Sequence, residues 1–154
     1  MSNDKLFIKV KMQCQFQRPV LPDSSNLEAP LIAEGPEISE KGSIFKGYAA
    51  SVASMEELRA CLDAVLIKPS VASSSHMIYA YRVADGRRKI LEYFSTDGDH
   101  GMGLSLLKHL RQSSATNIIC VVTRNCAPGF VHLGNRRFEL MCETGDAAMN
   151  EIEH

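Results

Sequence analysis

Between Asn117 and Thr123 stand five successive apolar residues, Ile118-Ile-Cys-Val-Val122. The run is too short for a buried helix, is rich in β-branched side chains, and lacks the alternation of a strand with one wet face. It predicts a central strand covered on at least one face, and the missing alternation favours both. Such a strand needs neighbours to complete its hydrogen-bond ladder, so the flanking pattern decides the fold class.

Those neighbours are legible. Ser43–Val52 places Ile44, Tyr48, Ala50 and Val52 at even spacing, which predicts a strand. His76–Val83 and Lys89–Ser95 predict two more, joined through Asp85-Gly86, a hairpin signal because glycine tolerates positive φ. Ser54 starts a helix and Glu57 completes its capping box; Met55, Leu58, Cys61, Leu62, Val65 and Leu66 form the apolar stripe, and Pro69 stops it. A second helix is expected over 101–112, with Met102, Leu106 and Leu110 on one face and Asp99 placed to cap it. A third begins near Asn135, where Gly145 costs about 1 kcal/mol relative to alanine and Thr144-Gly-Asp146 is a candidate break. The order βαββαβα predicts an α+β domain, a two-layer sandwich whose single sheet carries helices on one face.

Residues 1–41 differ in kind. Lys5-Leu-Phe-Ile-Lys-Val-Lys-Met12 alternates in part and could form one strand, but Pro19, Pro22, Pro30 and Pro36 then prevent any long helix. The division expected is an extended or partly disordered lead-in over 1–41 and a folded domain over 42–154. At 154 residues the chain suffices for one domain with a real core.

The net charge of −1 excludes a generally cationic protein that would gather nucleic acid without specificity. Five cysteines, Cys14, Cys61, Cys120, Cys126 and Cys142, include no C-x-x-C pair and an odd one out, which fits a reducing compartment. No apolar run approaches the ~18 residues of a membrane span, and the first residues do not resemble a signal peptide, so a cytoplasmic location is expected.

Asp97, Asp99 and His100 form the densest cluster of chemistry-bearing groups. Two carboxylates and an imidazole suit a divalent metal or acid–base work, yet Asp97-Gly98 also reads as a turn and Asp99 as a helix cap. The structural reading is favoured, with no metal and no cofactor implied. Gly101-x-Gly103 is a weak phosphate cradle, since the two aspartates beside it repel anions. His76 and Arg82 share one face of a strand, where the histidine reads as a hydrogen-bonded packing residue. Cys126 and His132 flank a Pro-Gly turn without an assignable catalytic pairing. Arg124, Arg136 and Arg137 gather after the central strand, and Arg87, Arg88 and Lys89 in the hairpin. Guanidinium forks suit carboxylates or phosphates, but exposed aromatics for stacking on bases are not evident near either group.

The segments containing Ser43-Ile-Phe45, His76 with Tyr79, Tyr81 and Arg82, Asp97-Gly-Asp99, Asn117 to Arg124, and Gly134 with Arg137 and Phe138 occur in an order that resembles the Impact family of translation regulators. The resemblance covers residues 32 to 143. It implies a fold similar to a small-subunit ribosomal protein domain and to domain IV of elongation factor G. It also implies a non-enzymatic module that binds the ribosome-associated activator of the amino-acid-starvation initiation-factor kinase and restrains that kinase. The candidate binding surface comprises His76, Arg82, Asp97, Gly98, Asp99, Arg124, Gly129, Gly134 and Arg137. Two other classes remain in play: a ribosome- or RNA-binding domain, and a small enzyme using Asp97, Asp99 and His100. The chain departs from the family pattern in Asn125-Cys-Ala-Pro-Gly129, where an aromatic pair and two glycines are usual, and in Thr96 and Asp99, where aspartate and glutamate are usual. Eukaryotic members carry an N-terminal RWD domain, and residues 1–31 are too short to form one.

Overall fold

The computed structural model describes residues 20–23, 27–84, 86 and 89–152. The possible strand at 5–12, Cys14, and the arginines at 87 and 88 lie outside the described residues. The central strand is β6, Ile118–Cys126, longer at its C-terminal end than its apolar run. It lies between β3, Ser43–Ser51, and β4, His76–Ala84, antiparallel to both. Strand β5, Ile90–Ser95, pairs with the far side of β4. Two short strands, β1 at Ala33–Glu34 and β2 at Ile38–Glu40, pair with the far side of β3. Residues of the expected lead-in therefore belong to the sheet.

The capping box at the start of α1, Met55–Leu66, forms with one adjustment: Ser54 Oγ accepts from the Glu57 amide at 3.1 Å, while Glu57 Oε1 accepts from Ala53, one residue before the cap. Helix α1 ends at Leu66, and Pro69 opens a short α2, Pro69–Ala72, where its fixed φ suits a first helical turn. Helix α3 is Met102–Gln112 and helix α4 is Arg136–Met149.

The fold class and element order follow the expectation, but the placing of all helices on one face does not. Tyr48, Ala50, Met77, Tyr79, Tyr81, Ile119 and Val121 cluster with Leu58, Leu62, Val65 and Leu66 of α1. Alternate residues of the same strands, Phe45, Ile78, Ala80, Cys120 and Val122, cluster instead with Met102, Leu106 and Leu110 of α3 and Leu140 and Met141 of α4. The sheet is therefore buried on both faces, which is why Ile118 to Val122 shows no alternation. Each large side chain fully buried this way contributes about 1.5–3 kcal/mol of apolar transfer.

Helix α4 is continuous through the suspected break. Gly145 sits where an added Cβ would lie 3.0 Å from Cys120 Sγ, and Gly47 of β3 where one would lie 2.6 Å from the Thr144 carbonyl. The two glycines let helix and sheet approach closely, so packing outweighs the helical cost of Gly145. Burial also raises the Cys61 and Cys120 thiols to about 12 and Cys142 to about 11, which keeps all three protonated at neutral pH.

Candidate functional site

The loop from β5 to α3 and the turn before α4 meet at one corner of the sheet, and carboxylates hold them there. Thr96–Asp99 is a tight turn closed by the Asp99 amide donating to the Thr96 carbonyl at 3.1 Å, with positive φ at both Asp97 (49°) and Gly98 (81°). That geometry is the reason for the Asp-Gly pair, both residues tolerating left-handed backbone. The turn is fastened to the first residues of β4: His76 Nδ1 donates to the Asp97 carbonyl at 2.8 Å, and the Met77 amide donates to Asp97 Oδ2 at 2.6 Å. A carbonyl can only accept, so the His76 tautomer carries its proton on Nδ1. Asp97 and His76 thus act on each other's backbone and loop, the packing role expected of the histidine.

Asp99 lies at the centre. Arg124 Nη1 donates to Asp99 Oδ2 at 2.8 Å, and Arg137 Nε stands 3.4 Å from Oδ1. Both side chains of the Asp99–Arg124 pair are only 7% exposed. Arg124 is opposite His76 on β4 and Phe45 on β3, its guanidinium lies 5.6 Å from the Phe45 ring centre, and Nη2 donates to Ser43 Oγ at 3.4 Å. Its Nε has no acceptor among the described residues. Arg137 closes the corner from α4 by donating to the Gly134 carbonyl at 2.9 Å and the His100 carbonyl at 3.1 Å while stacking on Phe138 at 4.5 Å.

The expected cap role of Asp99 is therefore corrected. Helix α3 has Gly101 at its N-cap without a side-chain bond; Thr96 Oγ1 accepts from the Gly103 amide, and Asp99 contributes its backbone carbonyl to Met102. A buried arginine nearby claims the Asp99 carboxylate, because an unpaired buried guanidinium is far more costly than a vacant cap position.

Of the expected surface residues, the structure brings His76, Asp97, Gly98, Asp99, Arg124, Gly134 and Arg137 to this corner. Arg82 is six residues along β4 from His76, roughly 20 Å away at strand rise, where it pairs with Glu92 and the Ala115 carbonyl. Gly129 belongs to a turn docked on the β2–β3 connection through Ala127 to Gly42 and Val131 to Lys41. Ser43 and Phe45 were legible in the sequence only as the start of a strand, since only strand register sets them beside Arg124. Asp97 accepts the Met77 amide and Asp99 is engaged by two guanidinium groups. Among the described residues no group of three or more His, Cys, Asp or Glu side chains could hold a metal ion.

Arg136, next in sequence to Arg137, turns away to Glu139 at 2.7 Å and to Glu40 at 3.3 Å, and these bonds raise its pKa. The cations after β6 are therefore matched by carboxylates, and their positive field is largely cancelled.

Residues 41–149 match the Impact N-terminal domain. The chain belongs to the Impact family. A Dictyostelium discoideum relative, an IMPACT protein homolog, is 32% identical over 121 residues, covering 79% of this chain and 34% of its own length. The Danio rerio protein IMPACT is 29% identical over 131 residues, covering 84% of this chain and 41% of its own. The chain thus spans only 34% and 41% of the length of these relatives. The fold is shared with the two-domain translational regulator Yih1, at a TM-score of 0.58 and 24% identity over 89% of this chain and 53% of Yih1. It is shared too with a solved hypothetical protein, at a TM-score of 0.62 and 20% identity over 80% of this chain and 59% of that one. The Impact match begins at Lys41, so β1 and β2 lie outside it although they complete the sheet. No helix among the described residues is long and apolar enough to cross a membrane.

Proposed function

We propose that this Impact-family chain is a cytoplasmic, non-enzymatic regulator of translation that binds the ribosome-associated activator of the amino-acid-starvation initiation-factor kinase and so restrains that kinase. The observation that carries the reading is the family match over 41–149 joined to a charged corner whose groups hold the fold. The Asp99 knot fixes the shape of two loops, and the exposed groups at their rim, Gly98, His100, Gly134 and Asn135, form the docking face beside His76 and Arg137. A rigid rim lowers the ordering cost of binding, which suits recognition of a protein partner.

Co-precipitation of the full chain with fragments of the activator tests the reading. Capture, with lowered initiation-factor phosphorylation on overexpression, is the expected result. No capture at micromolar concentration, together with unchanged phosphorylation, overturns it. Ribosome or RNA contact has less support, because Arg124, Arg136 and Arg137 are engaged by carboxylates. A binding constant that falls steeply with salt and fails on Arg136→Ala would restore that reading, since phosphate contacts release counterions. The enzyme reading requires turnover that disappears in Asp97→Ala.

A further inference from the structure

Helix α4 carries negative charge along the side it turns to solvent. Glu139, Glu143, Asp146 and Asn150 recur at spacings of four, three and four residues, so they share one face. The opposite face buries Leu140, Met141, Thr144, Gly145 and Ala148. The side chains of Glu139, Glu143 and Asp146 are 67%, 55% and 49% exposed. Glu40 of β2 joins them through Arg136, which reaches Glu40, Glu139 and Glu143. One guanidinium is thus shared among three carboxylates, and Asp146 has the His109 imidazole at 2.7 Å. No lysine or arginine stands between Phe138 and His154.

Such a stripe is unfavourable for the helix itself. Glu139 with Glu143, and Glu143 with Asp146, are like-charge neighbours, and pairs of this kind weaken a helix. The last turn of α4 has no basic residue, so the negative end of its dipole meets Asp146 and Glu151 rather than a cation. A local rule broken along a whole exposed face, where lysine would fit as well, marks a surface shaped by something other than folding.

Beyond Asn150 the stripe gives way to a cavity of about 370 Å³ between residues 30–34, the end of β3 and the residues after α4. Leu31, Ile32 and Ile152 supply apolar lining, and Ser51 and Glu151 polar lining. Glu34 lines it too, but Lys46 and Lys68 meet its charge. Leu31 is 75% exposed, so solvent reaches the lining. From Glu139 to Asn150 the stripe runs about 16 Å at helical rise, the reach of about five extended residues.

We propose that the acidic face of α4 and the cavity beyond it form a docking surface for a basic segment of a partner protein, with lysine or arginine along the stripe and an apolar side chain in the cavity. Charge complementarity selects the occupant: the face repels nucleic acid, and the apolar lining asks for more than a free polyamine offers. Arg136 turns away from the Asp99 corner, so this is a second surface. It rests on the protein-binding reading only in taking its occupant to be a protein.

The test uses the full chain and a labelled peptide of alternating lysine and alanine ending in leucine. Anisotropy at low salt reads binding, and NMR follows the backbone amides. Binding should shift amides between Glu139 and Ile152 and weaken about tenfold in Glu139→Gln/Glu143→Gln. Leu31→Ser, away from the stripe, should weaken it about threefold. Glu143→Gln alone removes a like charge, so its urea midpoint should hold while its binding falls, which separates docking from loss of folding. Unchanged binding in the double variant, or shifts confined to other elements, overturns the inference. Equal affinity for a peptide ending in serine reduces the effect to charge alone and overturns it as well. Shifts of the same amides in Lys5→Glu/Lys9→Glu without peptide would assign the stripe to the chain's own first residues. Sedimentation that depends on concentration in the parent but not in Lys108→Glu would assign it to a second copy; either result overturns the partner segment. Capture of the activator by a chain that does not bind the peptide removes this inference and leaves the proposed function standing. Peptide binding at α4 without activator capture does the reverse.

Discussion

Two carboxylates in this chain each sit between two arginines, and the two arrangements behave differently. Asp99 lies between Arg124 and Arg137 at the corner where α3 and α4 meet the sheet, with the Asp99 and Arg124 side chains 7% exposed. Glu92 lies between Arg82 and Arg111 on β5, with side-chain exposures of 21% for Glu92 and 47% for Arg111. The distances are alike, 2.8 Å for Asp99 to Arg124 and for Glu92 to Arg82. Water makes the difference. At Glu92 the solvent would solvate either partner if the other were lost, so the pair adds little. At Asp99 no solvent replaces a lost partner, so the knot costs heavily when broken, whatever its net contribution when whole. The buried Asp99–Arg124 pair sets the shape of a loop corner; the half-buried Glu92 cluster adjusts charge along an edge.

Asp99→Ala should produce the largest effect, a loss of about 3–5 kcal/mol, because Arg124 stays buried without a counter-charge. The urea midpoint of unfolding measures it. A loss below about 1 kcal/mol would put the corner in the class of surface bridges and dissolve the contrast. Arg137→Ala comes next at about 1–2 kcal/mol, since Asp99 keeps Arg124 while the Gly134 and His100 carbonyls lose a charged donor. Hydrogen exchange in the 97–101 loop should quicken in that variant, a response not expected of any substitution at Glu92.

Glu92→Gln should cost about 0.5 kcal/mol at low salt and nothing measurable at about 1 M, where screening shortens the Debye length to about 3 Å. Persistence of the loss at high salt would mean the triad is less exposed than its geometry indicates. The smallest effect is the pH dependence of the same pair. The Arg111 hydrogen bond, followed by that of Arg82, holds the Glu92 carboxyl below its ordinary value. Its contribution is complete above the ordinary carboxylate range, about 4, and disappears as pH falls through the depressed value. The parent protein and Glu92→Gln should therefore converge in stability on acidification, by a margin well under 1 kcal/mol because solvent reaches the group and Arg111 beside it. Divergence at acid pH would reverse the sign and refute the assignment.

Sequence reasoning reached most of the fold where a signal repeats along one element. The capping box at Ser54 and the six-residue stripe of α1 fell where expected because both are local to one helix. Strands β1 and β2 were missed because two and three residues carry no period, and the glycines and prolines around them read as loop. The single-face expectation, argued from element order alone, failed. Tyr48, Tyr79 and Tyr81 look compatible with a wet face, yet they are buried against α1. The unbroken Ile118 to Val122 run was the better guide. At the candidate site, the Asp97-Gly98 turn was legible from its residue types, whereas Asp99 was given to a helix cap because its arginine partners lie 25 and 38 positions away.

By itself the sequence determined the longer elements, their order and the family pattern, because periodicity, capping and turn chemistry act between near neighbours. Tertiary structure alone decided which face each helix covers and which of Arg82 and Arg124 belongs to the corner. Those outcomes depend on burial and on charges meeting across the sheet. A carboxylate's partner is settled by which cation water has been excluded from, and that exclusion exists only once the chain has packed.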